Sequence, residues 1–186
     1  MLFLEEIWSR NFTNLFIAPL KLKEIITSLI FTALIRTLIG LVPAIVLTSP
    51  LFGVSILKLG LPLLLLFLSL YIFGITLGLF VSAGLIRFGP SFENIAWSSL
   101  FLLAPLGCIY YPIEILPNFF QIIAKGLPLV YIFDETRNIL LNGSLDYKNL
   151  KLAYLLNFIY LICGISLFYL SFLRARIKGT LINMGE

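Results

Sequence analysis

The sequence has no histidine, only two cysteines, and charge on only 12% of its 186 residues. Without histidine, metal-dependent hydrolysis loses its usual ligand and general acid–base chemistry its usual residue. Cys108 and Cys163 fall in separate apolar stretches and lack metal-ligand spacing, so they read as small buried hydrophobes. No Gly-x-x-x-x-Gly-Lys-Ser/Thr loop occurs, so ATP is not bound by that route. Asp134 and Asp146 lie outside the long apolar runs, which leaves no intramembrane aspartyl pair. These absences predict neither catalysis, nor a metal, nor a cofactor. Soluble domains carry about 25% charged residues, roughly twice the share found here, and disorder needs low hydrophobicity with high net charge. Both classes are excluded. The net charge of +4 comes from scattered Lys and Arg with no basic stripe, so nucleic acid is not an expected partner.

What the chain does have is 60% hydrophobic residues, 15% aromatic residues and a mean hydropathy of +1.06. This composition predicts an all-α, polytopic helical membrane protein whose partner is the lipid bilayer. Four runs are near or above the ~20 residues that cross a bilayer as a helix: residues 25–49, 59–86, 95–113 and 152–173. Their apolar character is continuous, not alternating, which argues against a β-barrel. Residues 1–24 form a separate amphipathic segment ahead of the membrane domain, residues 25–186. Glu5, Glu6 and Arg10 precede any long apolar run, so the start does not read as a secretory signal.

Between the third and fourth runs, the apolar pieces are broken by Pro112, Pro117, Gly126 and Pro128. Interrupted apolar segments suit short helices that enter the membrane and turn back, sheltered by neighbours. A re-entrant hairpin over about 112–133 is therefore expected, with a pair of interfacial helices as the alternative. The basic residues Arg174, Arg176 and Lys178 crowd the exit of the last run. With four spans they place both termini in the cytoplasm.

Three smaller features carry expectations. Trp8, Phe12, Leu15 and Phe16 form one apolar stripe on a helix over Glu5–Ala18, ended by Pro19. That helix either lies at the membrane surface or docks on a cytoplasmic partner. Gly74, Gly78 and Ser82 recur at four-residue intervals and predict a close helix-packing face, against this chain or a second copy. Arg36 stands near the middle of the first run with no acidic residue in any span, so it reads equally as structural or as lining a cavity. Asn142-Gly143-Ser144 matches a glycosylation acceptor and also reads as a turn.

Taken in order, two segments resemble the membrane subunit of ATP-binding-cassette exporters of the type-2 permease family. The first is Phe3-Leu4-Glu5-Glu6-Ile7-Trp8-Ser9-Arg10-Asn11 and onward to Ala18-Pro19-Leu20. The second runs from Trp97 to Leu140 and carries Ala104-Pro105, Tyr110-Tyr111-Pro112, Leu116-Pro117, Leu127-Pro128 and Glu135-Thr136-Arg137. The resemblance implies a permease domain in the plasma membrane that moves a drug, lipid or glycan outward. A separate cytoplasmic ATPase would hydrolyse the ATP, and a second permease copy would complete the path. It also implies that Glu5, Glu6, Arg10 and Asn11 couple to the ATPase. Tyr111, Pro112, Leu116, Pro117, Gly126 and Pro128 would shape an outer gate. Family members carry two further spans before the coupling segment, so the resemblance implies a chain shortened at its N-terminal end. The competing reading is a membrane anchor or assembly module, or a permease fragment, that transports nothing.

Overall fold

The computed structural model describes residue 5 and residues 22–52, 60–143 and 145–178. The described residues form six α-helices. These are α1 (Leu22–Phe52), α2 (Leu61–Phe88), α3 (Glu93–Leu106), α4 (Asn118–Lys125), α5 (Pro128–Asn142) and α6 (Tyr147–Lys178). Short 3-10 turns at Pro90–Phe92 and Ile113–Ile115 link them. The chain divides into two compact units, Met1–Leu63 with Leu173–Glu186, and Leu64–Phe172.

Three helices are long and apolar enough to cross a membrane: α1 over Lys23–Thr48, α2 over Leu61–Phe88 and α6 over Tyr147–Ile177. The protein is therefore a helical membrane protein. The expected run 95–113 becomes the 14-residue helix α3, about 21 Å long at 1.5 Å per residue and short of a ~30 Å hydrocarbon core. The cause is local. A Cβ on Gly107 would meet the Leu103 carbonyl oxygen and the Leu129 side chain, each at 2.8 Å. Cys108 then takes φ 52°, a left-handed backbone that no helix continues through. Composition recorded an apolar run there, and the close approach of α5 decides where the helix stops.

The direction of the long helices in the larger unit follows from their contacts. The Tyr154 hydroxyl donates to the Leu65 carbonyl at 2.8 Å, a sequence separation of 89. The Asn157 amide donates to the Ser69 carbonyl, a separation of 88. Farther along, Phe73 meets Tyr160 edge to face with centroids 6.5 Å apart, and Gly164 lies against Thr76 and Leu79. Partners on both helices advance together, so α2 and α6 run parallel. Residues 89–146 must therefore carry the chain back to the level at which α2 began.

That return begins at a sharp corner. Gly89 takes φ 75°, where glycine has no Cβ to clash, and its N–H closes on the Leu85 carbonyl at 2.8 Å. The Phe92 ring then folds onto Gly84, where an added Cβ would come within 2.2 Å of it. After α3, the small helices α4 and α5 form a hairpin around Gly126. Pro128, early in α5, has its φ fixed in advance for a helix start. At the other end Gly143 adopts φ 69° and donates to the Ile139 carbonyl at 2.9 Å, which gives a glycine stop. The turn expected at Asn142-Gly143 is present; Ser144 lies outside the described residues.

Candidate functional site, the hairpin and its anchors

The hairpin closes over a small core of Cys108, Ala124 and Val130, with Tyr111, Ile113, Leu116 and Leu127 packed around it. Of the residues expected at an outer gate, Tyr111 and Leu116 pack against this core. Tyr111 donates its hydroxyl to the Pro105 carbonyl at 2.8 Å, tying the segment after α3 to the end of that helix. Pro112 and Pro117 are extended and exposed, and each precedes a helical turn. Pro128 is fully buried. The Leu116 carbonyl accepts from the Gln121 amide at 2.8 Å.

Gly126 joins the hairpin to α6. Its carbonyl accepts from the Tyr160 hydroxyl at 3.0 Å, while Tyr131 covers the neighbouring Lys125 carbonyl at 2.9 Å. An irregular backbone away from water needs such donors, since an unmet carbonyl costs about 1–3 kcal/mol. The turn meets the hydroxyl of Tyr160, a residue well along α6 from its start at Tyr147. The hairpin tip therefore reaches down beside the helix and not across its end.

Two charged side chains fix α5 at its other contacts. Glu135 is fully buried. Its Oε1 accepts from the Asp146 backbone N–H, immediately before α6, and from the Asn138 amide. Arg137 donates from Nη1 to the Cys108 carbonyl at 2.9 Å and approaches Asp134 at 3.6 Å. Glu135 Oε2 and Arg137 Nη2 are buried without hydrogen-bond partners. Helix α5 thus links the turn after α3 to the start of α6. The sequence showed the Glu-Thr-Arg string, but nothing in its spacing revealed which backbone groups the two side chains would hold.

The packing residues divide. Ser82 is buried, whereas a Cβ added to Gly74 or Gly78 meets nothing within 4 Å. The α2–α6 contact instead uses Ser69 and Thr76, both fully buried, against Asn157 and Gly164. Asn157 Nδ2 donates to both the carbonyl and the hydroxyl of Ser69 at 2.9 Å. An asparagine inside an apolar run was the available signal, because an amide in hydrocarbon must find a partner.

Arg36, expected to lack an acidic neighbour, forms an ion pair with Glu5. The partner was missed because it precedes the spans in sequence. Glu6, Arg10 and Asn11, expected to couple to an ATPase, lie outside the described residues. Among the described residues no group of three or more Cys, Asp or Glu side chains could hold a metal ion. No protein-family model, curated protein or solved structure matches the chain.

Proposed function

We propose that this chain is the membrane-spanning permease subunit of an ATP-binding-cassette exporter, with a re-entrant hairpin at its outer end. The observation that carries the reading is the hydrogen bond from Tyr160 to the Gly126 carbonyl. The apolar run of α6 starts at Leu152, and Tyr160 follows it by about 12 Å at 1.5 Å per residue. A turn tied to that level has entered the hydrocarbon from one side and must leave on the same side. Neighbouring helices supply its backbone partners, as an irregular segment at that depth requires.

The topology supports the same reading. Parallel α2 and α6 require one net crossing between them, to which α3 contributes about 21 Å at 1.5 Å per residue. With α1, α2 and α6 the chain makes four net crossings, and both termini fall on one side. Arg174 and Arg176 on the last turns of α6 make that side the cytoplasm. The hairpin then faces outward, where it closes the external end of a path shared with a second copy. The Gly74–Gly78 face, open among the described residues, is available to that copy. The cargo is a drug, lipid or glycan, and a partner ATPase drives its movement across the plasma membrane.

Purification of the tagged chain from its native membranes tests the assignment. The expected result is a stoichiometric second protein that binds ATP, whose hydrolysis rate changes when the pair is returned to lipid vesicles. A chain purified intact without any ATPase contradicts the assignment and favours the anchor reading.

A further inference from the structure

Arg36 and Glu5 together define a membrane-depth problem. From Leu22 to Arg36 helix α1 advances about 21 Å, and from Ile25, where the apolar run begins, about 16 Å, at 1.5 Å per residue. Arg36 thus lies near the centre of a ~30 Å core. A lone arginine there costs at least ~2.5 kcal/mol on insertion scales. In this structure its guanidinium is paired with the Glu5 carboxylate. The hydroxyls of Thr27, Ser28, Thr37 and Thr48 bond carbonyls of their own helix and, being neutral, offer the arginine no counter-charge.

One carboxylate cannot occupy two depths. Paired with Arg36, Glu5 is drawn towards the membrane centre, and seated on a cytoplasmic ATPase it lies outside the membrane. We infer that the Glu5–Arg36 pair is a latch: formed, it withdraws the N-terminal acidic group from the cytoplasmic face; broken, it delivers that group to the ATPase. The delivery step rests on the permease reading. The two states differ by one ion pair, and an ATPase that binds only the released state shifts the population towards it. Release leaves Arg36 to be accommodated by a second copy or by water in the shared path.

The test uses the full-length chain in lipid vesicles with the exposed Cys163 changed to alanine; Cys108 is buried. Leu4→Cys, beside Glu5, reports exposure to a membrane-impermeant thiol reagent applied from the cytoplasmic side. Labelling is expected to be slow with Arg36 present and about fivefold faster in Arg36→Leu, the shift that about 1 kcal/mol of latch energy would give. Arg36→Leu makes the span more apolar, so its insertion is not at risk. Glu5→Gln should accelerate labelling similarly, as should adding the ATPase that co-purifies with the chain. Equal labelling in the parent, Arg36→Leu and Glu5→Gln chains overturns the latch and leaves the permease reading standing. A latch-dependent difference that the co-purifying ATPase does not change overturns the delivery step. If no ATPase co-purifies, both the delivery step and the permease reading fall.

Discussion

Helices α1 and α6 are alike in length, 31 and 32 residues, and both read as spans, yet they use their polar groups in opposite ways. In α1 the hydroxyls of Thr27, Thr37 and Thr48 each bond the carbonyl four residues back. These hydroxyls are satisfied within the helix, and none of its most apolar stretch is buried among the described residues. In α6 the Asn157 amide and the Tyr154 hydroxyl reach across to Ser69 and Leu65 of α2. A threonine hydroxyl can be absorbed by the carbonyl four residues back, whereas the Asn157 carboxamide finds both its acceptors on Ser69 of α2. Lipid tails are as apolar as leucine, so hydropathy gives no preference for one neighbour over another. Small and polar residues decide which spans pack.

The sharpest way to break this comparison is to wedge the α2–α6 contact open. A Cβ on Gly164 would stand 3.4 Å from Leu79 Cβ and 3.5 Å from the Thr76 carbonyl, ordinary contact distances. Gly164→Ala should fit with little effect, while Gly164→Leu should cost about 3 kcal/mol by overpacking. Reversible unfolding in detergent micelles measures both, and equal stability of the two variants would remove the contact from the account. A smaller loss is expected for Asn157→Ala, about 1 kcal/mol, the usual range for a hydrogen bond between membrane helices. Ser69→Ala should recover part of that loss in the double variant, leaving a measurable coupling, since the Ser69 hydroxyl is one of the two acceptors. Additive single effects would mean that the Asn157–Ser69 hydroxyl bond contributes nothing.

Tyr160→Phe probes the hairpin side of α6. It removes the hydroxyl that donates to the Gly126 carbonyl and should destabilise by about 1 kcal/mol. Hydrogen exchange at Leu127 and its neighbours should rise while exchange in α2 stays unchanged; uniform loosening would point to a general packing defect. The smallest effects belong to open surfaces. Val46→Ala in α1, where Val46 is 63% exposed, and Gly78→Ala in α2 should each change the stability of the isolated chain by less than about 0.5 kcal/mol. If Gly78→Ala abolishes association between two copies while leaving the single chain stable, the open glycine face is a copy–copy surface.

Much of this architecture is legible in the sequence wherever a signal is local. The three long apolar runs became α1, α2 and α6 because length and hydropathy suffice for a span. The break expected at Pro128 and the turn at Asn142-Gly143 fall at the two ends of α5, since proline presets the first turn and glycine permits the left-handed stop. The hairpin was expected to end near residue 133, but α5 continues to Asn142. The third run was read as a full span because its apolar character continues past the point where Leu129 meets Gly107. Glu5 and Arg36 stand 31 residues apart, and Arg137 and the Cys108 carbonyl 29 apart. Such pairings belong to tertiary geometry, which no periodicity encodes. Asn157 was visible as a polar residue in an apolar run, although its partner on α2 was not.

The central claim is that the α4–α5 hairpin enters the membrane to the level of Tyr160 and returns. Its direct test places a spin label at Ile123, an exposed residue beside the Gly126 turn, through Ile123→Cys in a Cys163→Ala chain in lipid vesicles. Relaxation is compared between dissolved oxygen, which concentrates in hydrocarbon, and a water-soluble nickel chelate. The account predicts an oxygen-dominated response at position 123 and a chelate-dominated one for Lys148→Cys at the start of α6. A chelate-dominated response at both positions would place the hairpin on the membrane surface and contradict the claim.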